Sequence, residues 1–134
     1  MAKFLLLMNY GPTATCDTPM DRWAPGDVAA HIGYQQRLGE ELARNGELVD
    51  AQGLSGPELA ATVVFTGVGA PVVTDGPFPE SKELLAGYWL VDATRERALE
   101  IAARASAAPG PDGVPLGQPI EVRELMSAPA ASDL

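Results

Sequence analysis

The chain has 134 residues, 46% of them hydrophobic and 20% charged, with a formal net charge of −9. That balance suits one domain around one hydrophobic core and excludes a disordered polymer. The acidic excess argues against nucleic acid and anionic membrane as partners, because both recruit clustered Lys and Arg.

The single cysteine, Cys16, excludes an internal disulfide and a cysteine-based zinc site, and it suits a reducing compartment. The longest apolar run, Phe4 to Met8, falls far short of the roughly 20 residues a membrane span requires, and no secretory pattern precedes it. A cytoplasmic protein is the expectation. Five of the nine basic residues (Arg37, Arg44, Arg95, Arg97, Arg104) fall in segments that read as helices. Two follow a glutamate by four positions, which predicts the pairs Glu40–Arg44 and Glu100–Arg104.

In chain order, residues 3–9 read as a strand, closed by Asn9 and Gly11-Pro12. Residues 10–26 form a Pro-rich loop, long enough to govern access to any pocket beneath it. Asp27 is the expected cap of a helix over 28–45, with Val28, Ile32, Leu38 and Leu42 on its apolar face and Gly46 as its stop. A strand over 47–53 follows. Residues 61–66 and 71–75 are β-rich, and the Gly67-Val68-Gly69-Ala70 turn between them predicts a hairpin. Residues 84–92 make a longer strand. Thr94 caps a helix over 95–107 whose inner face is Ala98, Ile101, Ala102 and Ala105. Pro109 to Gly113 breaks that helix, and 119–125 is a last strand. The domain runs over 1–126, and 127–134 is a loose tail of small residues and proline.

This order predicts an α+β fold of the ferredoxin-like, split βαβ type, with an inserted β-hairpin and two helices on one face of an antiparallel sheet. The strand pattern adds a constraint. Phe4 to Met8 does not alternate, and in 84–92 the Leu85/Trp89/Val91 and Leu84/Tyr88/Leu90 sets make both faces apolar. Two helices cover only one face. Each large side chain left wet forgoes roughly 1.5–3 kcal/mol, so a second copy covering the other face is the expectation, giving a homodimer. The tail or loop 10–26 folded over the sheet is the alternative.

Asp75-Gly76-Pro77 is a turn signal that ends a strand at a rigid corner. Thr74-Asp75-Gly76-Pro77-Phe78, Lys82-Glu83 and Gly87-Tyr88-Trp89-Leu90-Val91-Asp92 together resemble the signature of the YCII-related family, in its DGPF branch. Lys3-Phe4-Leu5-Leu6-Leu7, Ala30-His31 and Ile120-Glu121-Val122-Arg123 extend the resemblance over about residues 1–125. It implies a dimeric α+β barrel and a site built from a histidine and an aspartate. The family is functionally mixed, and some members are thought to be small enzymes acting on ring compounds.

Each candidate residue carries two readings. His31, the only histidine, falls on the helix face that meets the sheet. It suits acid–base work near neutral pH, or it is a core histidine held by a backbone carbonyl or a tyrosine. Asp75 orients that histidine, or it simply holds its own turn. Glu121 and Arg123 share one strand face: they sit solvated at a sheet edge, or they line a cavity in which Arg123 grips an anionic group in bidentate fashion. Tyr88 completes the ligand-binding set. Trp23 and Tyr10 form a lid or fill a loop. Gly67-Val68-Gly69 lacks the rest of a dinucleotide fingerprint, and the chain has no metal constellation. No cofactor is expected.

The functional expectation is a homodimer binding a small aromatic or anionic molecule, potentially a cofactor-free lyase, isomerase or hydrolase with His31 and Asp75 as its acid/base pair. The competing expectation is a non-catalytic regulatory or protein-interaction module. An ordered ligand touching His31 and Asp75 marks the first, and a tightly filled hydrophobic interior the second.

Overall fold

The computed structural model describes residues 2–76 and 84–126. The elements are β1 (Ala2–Tyr10), α1 (Pro25–Arg44), β2 (Leu48–Gly53), β3 (Ala61–Val64), β4 (Val72–Asp75), β5 (Leu84–Ala93), α2 (Arg95–Ser106) and β6 (Ile120–Glu124). Short 3-10 turns cover Met20–Arg22, Pro57–Leu59 and Pro111–Gly113. The part of the motif from Pro77 to Glu83 and the tail at 127–134 lie outside the described residues. Among the described residues, no helix is long and apolar enough to cross a membrane.

One sheet runs β2-β5-β1-β6 with every pairing antiparallel. Each β–α–β unit therefore places its second strand beside the other unit's first, which is the ferredoxin-like arrangement expected. The β3–β4 hairpin forms a separate two-stranded sheet between the units.

Strand alternation sorts side chains to two faces. Phe4 and Leu6 of β1 and Trp89 and Val91 of β5 face the helices, where they form the core with Leu38, Leu42, Ala98, Ile101, Ala102 and Ala105. The small residues of α2 let its backbone lie close to the sheet. Gly87 serves close approach as well, since a Cβ there would stand 2.7 Å from the carbonyl oxygen of Gln52. Leu5, Leu7, Tyr88 and Leu90 alternate to the opposite face and are half-buried. Glu121 pairs with Leu7 and Arg123 with Leu5, which puts both charges on that outer face of an edge strand, exposed to solvent.

The helix ends divide in kind. Thr94 caps α2 as expected, its Oγ1 accepting the Arg97 N–H at 3.2 Å. Asp27 does not cap α1: Ala24 is the capping residue, Pro25 begins the helix, and Asp27 sits in its first turn. Proline at the first position needs no N–H partner, so the start requires no side-chain cap. At the far end Gly46 adopts φ +75°. The Glu47 N–H then reaches the Leu42 carbonyl and the Gly46 N–H the Ala43 carbonyl, a double closure that only the left-handed residue permits.

The two helical i,i+4 pairs do not form. Arg97 instead grips both carboxylate oxygens of Glu47, at 2.8 and 3.1 Å, and also meets Glu100, while Arg104 meets Glu41. A forked guanidinium gains more from two oxygens across elements than from one along a helix. These contacts tie α2 to α1 and to the entry of β2.

Two outcomes test this packing. Leu42→Ala empties a fully buried site and should lower stability to urea by about 3 kcal/mol. The Arg97 guanidinium holds the Glu47 carboxyl below its ordinary value of 4.5. Its contribution is therefore complete above that value and fades as pH falls through the lowered one. Glu47→Gln should cost about 1 kcal/mol near neutrality, and the gap to wild type should close in acid.

Candidate functional site

Only half of α1 sits on the sheet. Leu38 and Leu42 are buried there, but Ile32, expected in the core, is 43% exposed, and Val28 is only half-buried. The N-terminal half of the helix stands away and leaves an open cavity of about 1350 Å³ between α1, the loop 11–23 and the ends of β1, β2 and β5. A drug-sized ligand needs about 300–1,000 Å³. The lining is mostly apolar and aromatic, with Met8, Tyr10, Trp23, Ile32, Trp89 and Leu116 among its members.

The loop is held in place rather than draped. The Trp23 Nε1–H donates to the Thr18 carbonyl at 2.9 Å, folding the loop on itself. Thr15 Oγ1 lies 2.8 Å from the Leu116 carbonyl oxygen and 3.0 Å from that of Pro115, so one hydroxyl ties the loop to the segment after α2. Tyr10 Oη donates to the Leu54 carbonyl at 2.7 Å, which pins the opposite rim.

His31 lies in this wall and is 3% exposed. Its Nδ1 is 3.0 Å from the Pro109 carbonyl oxygen. A carbonyl only accepts, so Nδ1 carries the proton, and in the neutral ring Nε2 is then a lone-pair acceptor. Nε2 has no hydrogen-bond partner among the described residues. Trp23 meets the imidazole edge-on, with ring centroids 5.5 Å apart and planes at 81°. Trp89, 5% exposed, also lines the cavity, and its buried Nε1–H has no partner among the described residues. Such an unmet donor costs about 1–3 kcal/mol. The cavity thus presents one unfilled acceptor on aromatic walls, while the unmet indole N–H is buried within the wall.

The other candidates lie elsewhere. Asp75 ends β4, is exposed, is not part of the lining, and has no hydrogen bond to His31. Gly76 beside it takes φ +92°, and its N–H bonds the Ala60 carbonyl, so this corner closes the hairpin. Glu121 and Arg123 are on the outer sheet face and do not line the cavity. Tyr88 lines the wall at β5, but its side chain alternates to the helix-free face, where its hydroxyl donates to Asp50 Oδ2 at 2.7 Å. That bond pushes the phenol up and holds the Asp50 carboxyl down. Among the described residues, no group of three or more His, Cys, Asp or Glu is placed to hold a metal ion.

A family model, the YCII-related domain, matches residues 2–114. The chain belongs to the YCII-related family. A search of curated proteins finds no match. In this YCII-related chain the match ends just before Pro115, Leu116 and Gln118, yet Leu116 and Gln118 complete the cavity wall.

The backbone carbonyl expected of a core His31 is there, on Pro109, although a backbone acceptor has no sequence signal that singles out that residue. Pattern reading missed the pairing of Thr15 with Leu116. Thr15→Val should release the loop and cost about 1 kcal/mol. The expected readout is faster amide exchange across residues 13–23 while the exchange of core strands β1 and β5 is unchanged.

Proposed function

We propose that this protein is a homodimer that takes a small aromatic molecule, one bearing a hydrogen-bond donor, into the cavity beside His31. The unfilled His31 Nε2 on an aromatic-lined wall carries this reading. A ring hydroxyl answers it by donating to the imidazole. His31 Nε2 then acts as the proton acceptor, and Pro109 holds the tautomer, the orienting role expected of Asp75 from the sequence. Any chemistry at this site is proton transfer on the bound ring, consistent with a cofactor-free lyase or isomerase. The alternative of a purely interacting module sits poorly with so large an open interior.

The dimer is supported by apolar surface that the chain leaves uncovered. Leu5, Leu7, Tyr88 and Leu90 share the helix-free sheet face, and the hairpin exposes Val63 at 60%, Val73 at 62% and Val68 at 83%. A two-stranded hairpin is marginal in water alone, and a second copy supplies cover for both surfaces by a two-fold contact.

Two measurements test the proposal. Saturation-transfer NMR with a panel of hydroxylated and plain aromatic rings should show binding that favours the hydroxylated ones, weakened about tenfold by His31→Gln. Undiminished affinity in that variant would remove His31 from the site. Light scattering during size exclusion should give twice the 14.0 kDa chain mass, and Leu7→Asp should yield monomer. A wild-type monomer at micromolar concentration would end the dimer proposal.

A further inference from the structure

The small-molecule reading leaves the charge of the ligand open, and the cavity rim narrows it. We infer that the site selects a cationic aromatic, a ring with a protonated amine on a short tail, over a carboxylate of equal size. This rests on the proposed aromatic ligand and adds its sign. Among the described lining residues every charged side chain is acidic: Asp17 and Asp21 from the loop, and Glu58 from the turn after β2. All three are exposed, and none belongs to an ion pair among the described residues. Arg123, the anion anchor suggested by sequence, is on the other side of the sheet.

Carboxylates at a rim do not make a site by themselves. The second observation lies inside, at His31. With Nδ1–H bound to Pro109, the neutral imidazole leaves the cavity the Nε2 lone pair of a residue only 3% exposed. A carboxylate ligand brings only lone pairs, and it would face that lone pair within and three negative groups at the mouth. An ammonium brings donors and positive charge to the same positions. Trp23 stands beside His31 in the same wall, and an indole face attracts cations through its quadrupole. The net charge of −9 adds a field of the same sign at a distance.

The chain's two tryptophans, Trp23 and Trp89, both line the cavity, so their emission reports on this space. Three ligands share one hydroxylated ring and differ in the tail: tyramine (ammonium), tyrosol (alcohol) and 4-hydroxyphenylacetate (carboxylate). Titration of the full chain at low salt, with excitation restricted to tryptophan, should give tyramine the tightest binding. The expected margin over the carboxylate is about tenfold, roughly 1.4 kcal/mol, the sum expected from a few solvent-exposed ion contacts. Tyrosol should fall between. The margin should collapse toward unity at high salt and in the triple variant Asp17→Asn, Asp21→Asn, Glu58→Gln, whose surface positions spare the core. Equal or tighter binding of the carboxylate would overturn the charge inference and leave the small-molecule reading standing. A margin that survives in the triple variant would overturn the role of the rim. Silence from all three ligands at millimolar concentration would overturn both the inference and the reading beneath it.

Discussion

The site depends on how α1 is seated. Leu38 and Leu42 pull the C-terminal half of the helix onto Trp89, Val91 and the inner face of α2. The N-terminal half is held off the sheet, by His31 at the Pro109 carbonyl and by the Tyr34 hydroxyl donating to the Arg104 carbonyl, while Ile32 is 43% exposed. The space between that half and the strand ends is the cavity. His31 lies about two turns before Leu38, in the wall of that opening, and is only 3% exposed.

Much of the fold was legible because local chemistry and global packing agree. The two side-chain sets of β5, the Ala98/Ile101/Ala102/Ala105 face and the Thr94 cap each follow from spacing alone. Gly46 also followed, because a helix stop that needs positive φ leaves glycine as the cheapest choice. The start of α1 did not follow. Asp27 has the right side chain for a cap, but Pro25 begins the helix two positions earlier, and a proline's fixed φ outweighs one side-chain bond.

The site was legible only in part. Helical phase put His31 on an inner face, and that was enough to single it out. Periodicity then extended the core to Val28 and Ile32, because an apolar stripe looks the same whether it meets a sheet or a void. Asp75 and Arg123 carried plausible chemistry, yet each belongs to an element turned away from the histidine: one to the inserted hairpin, the other to the outer face of an edge strand. The partners that matter most to His31 are a backbone carbonyl and loop aromatics. Their proximity arises from tertiary closure, which single-chain spacing does not encode.

The tie from Thr15 to Leu116 bridges 101 positions along the chain. The β1–β6 pairing, with Phe4 opposite Glu124, spans as much of the chain, but it is a ladder of several strand pairs, whereas this tie is one side chain on a loop. It is also shallow, a single hydroxyl against two carbonyls near solvent. This hydroxyl is therefore a low-cost tie, and its release frees the loop beside the cavity while the sheet and both helices stay shut.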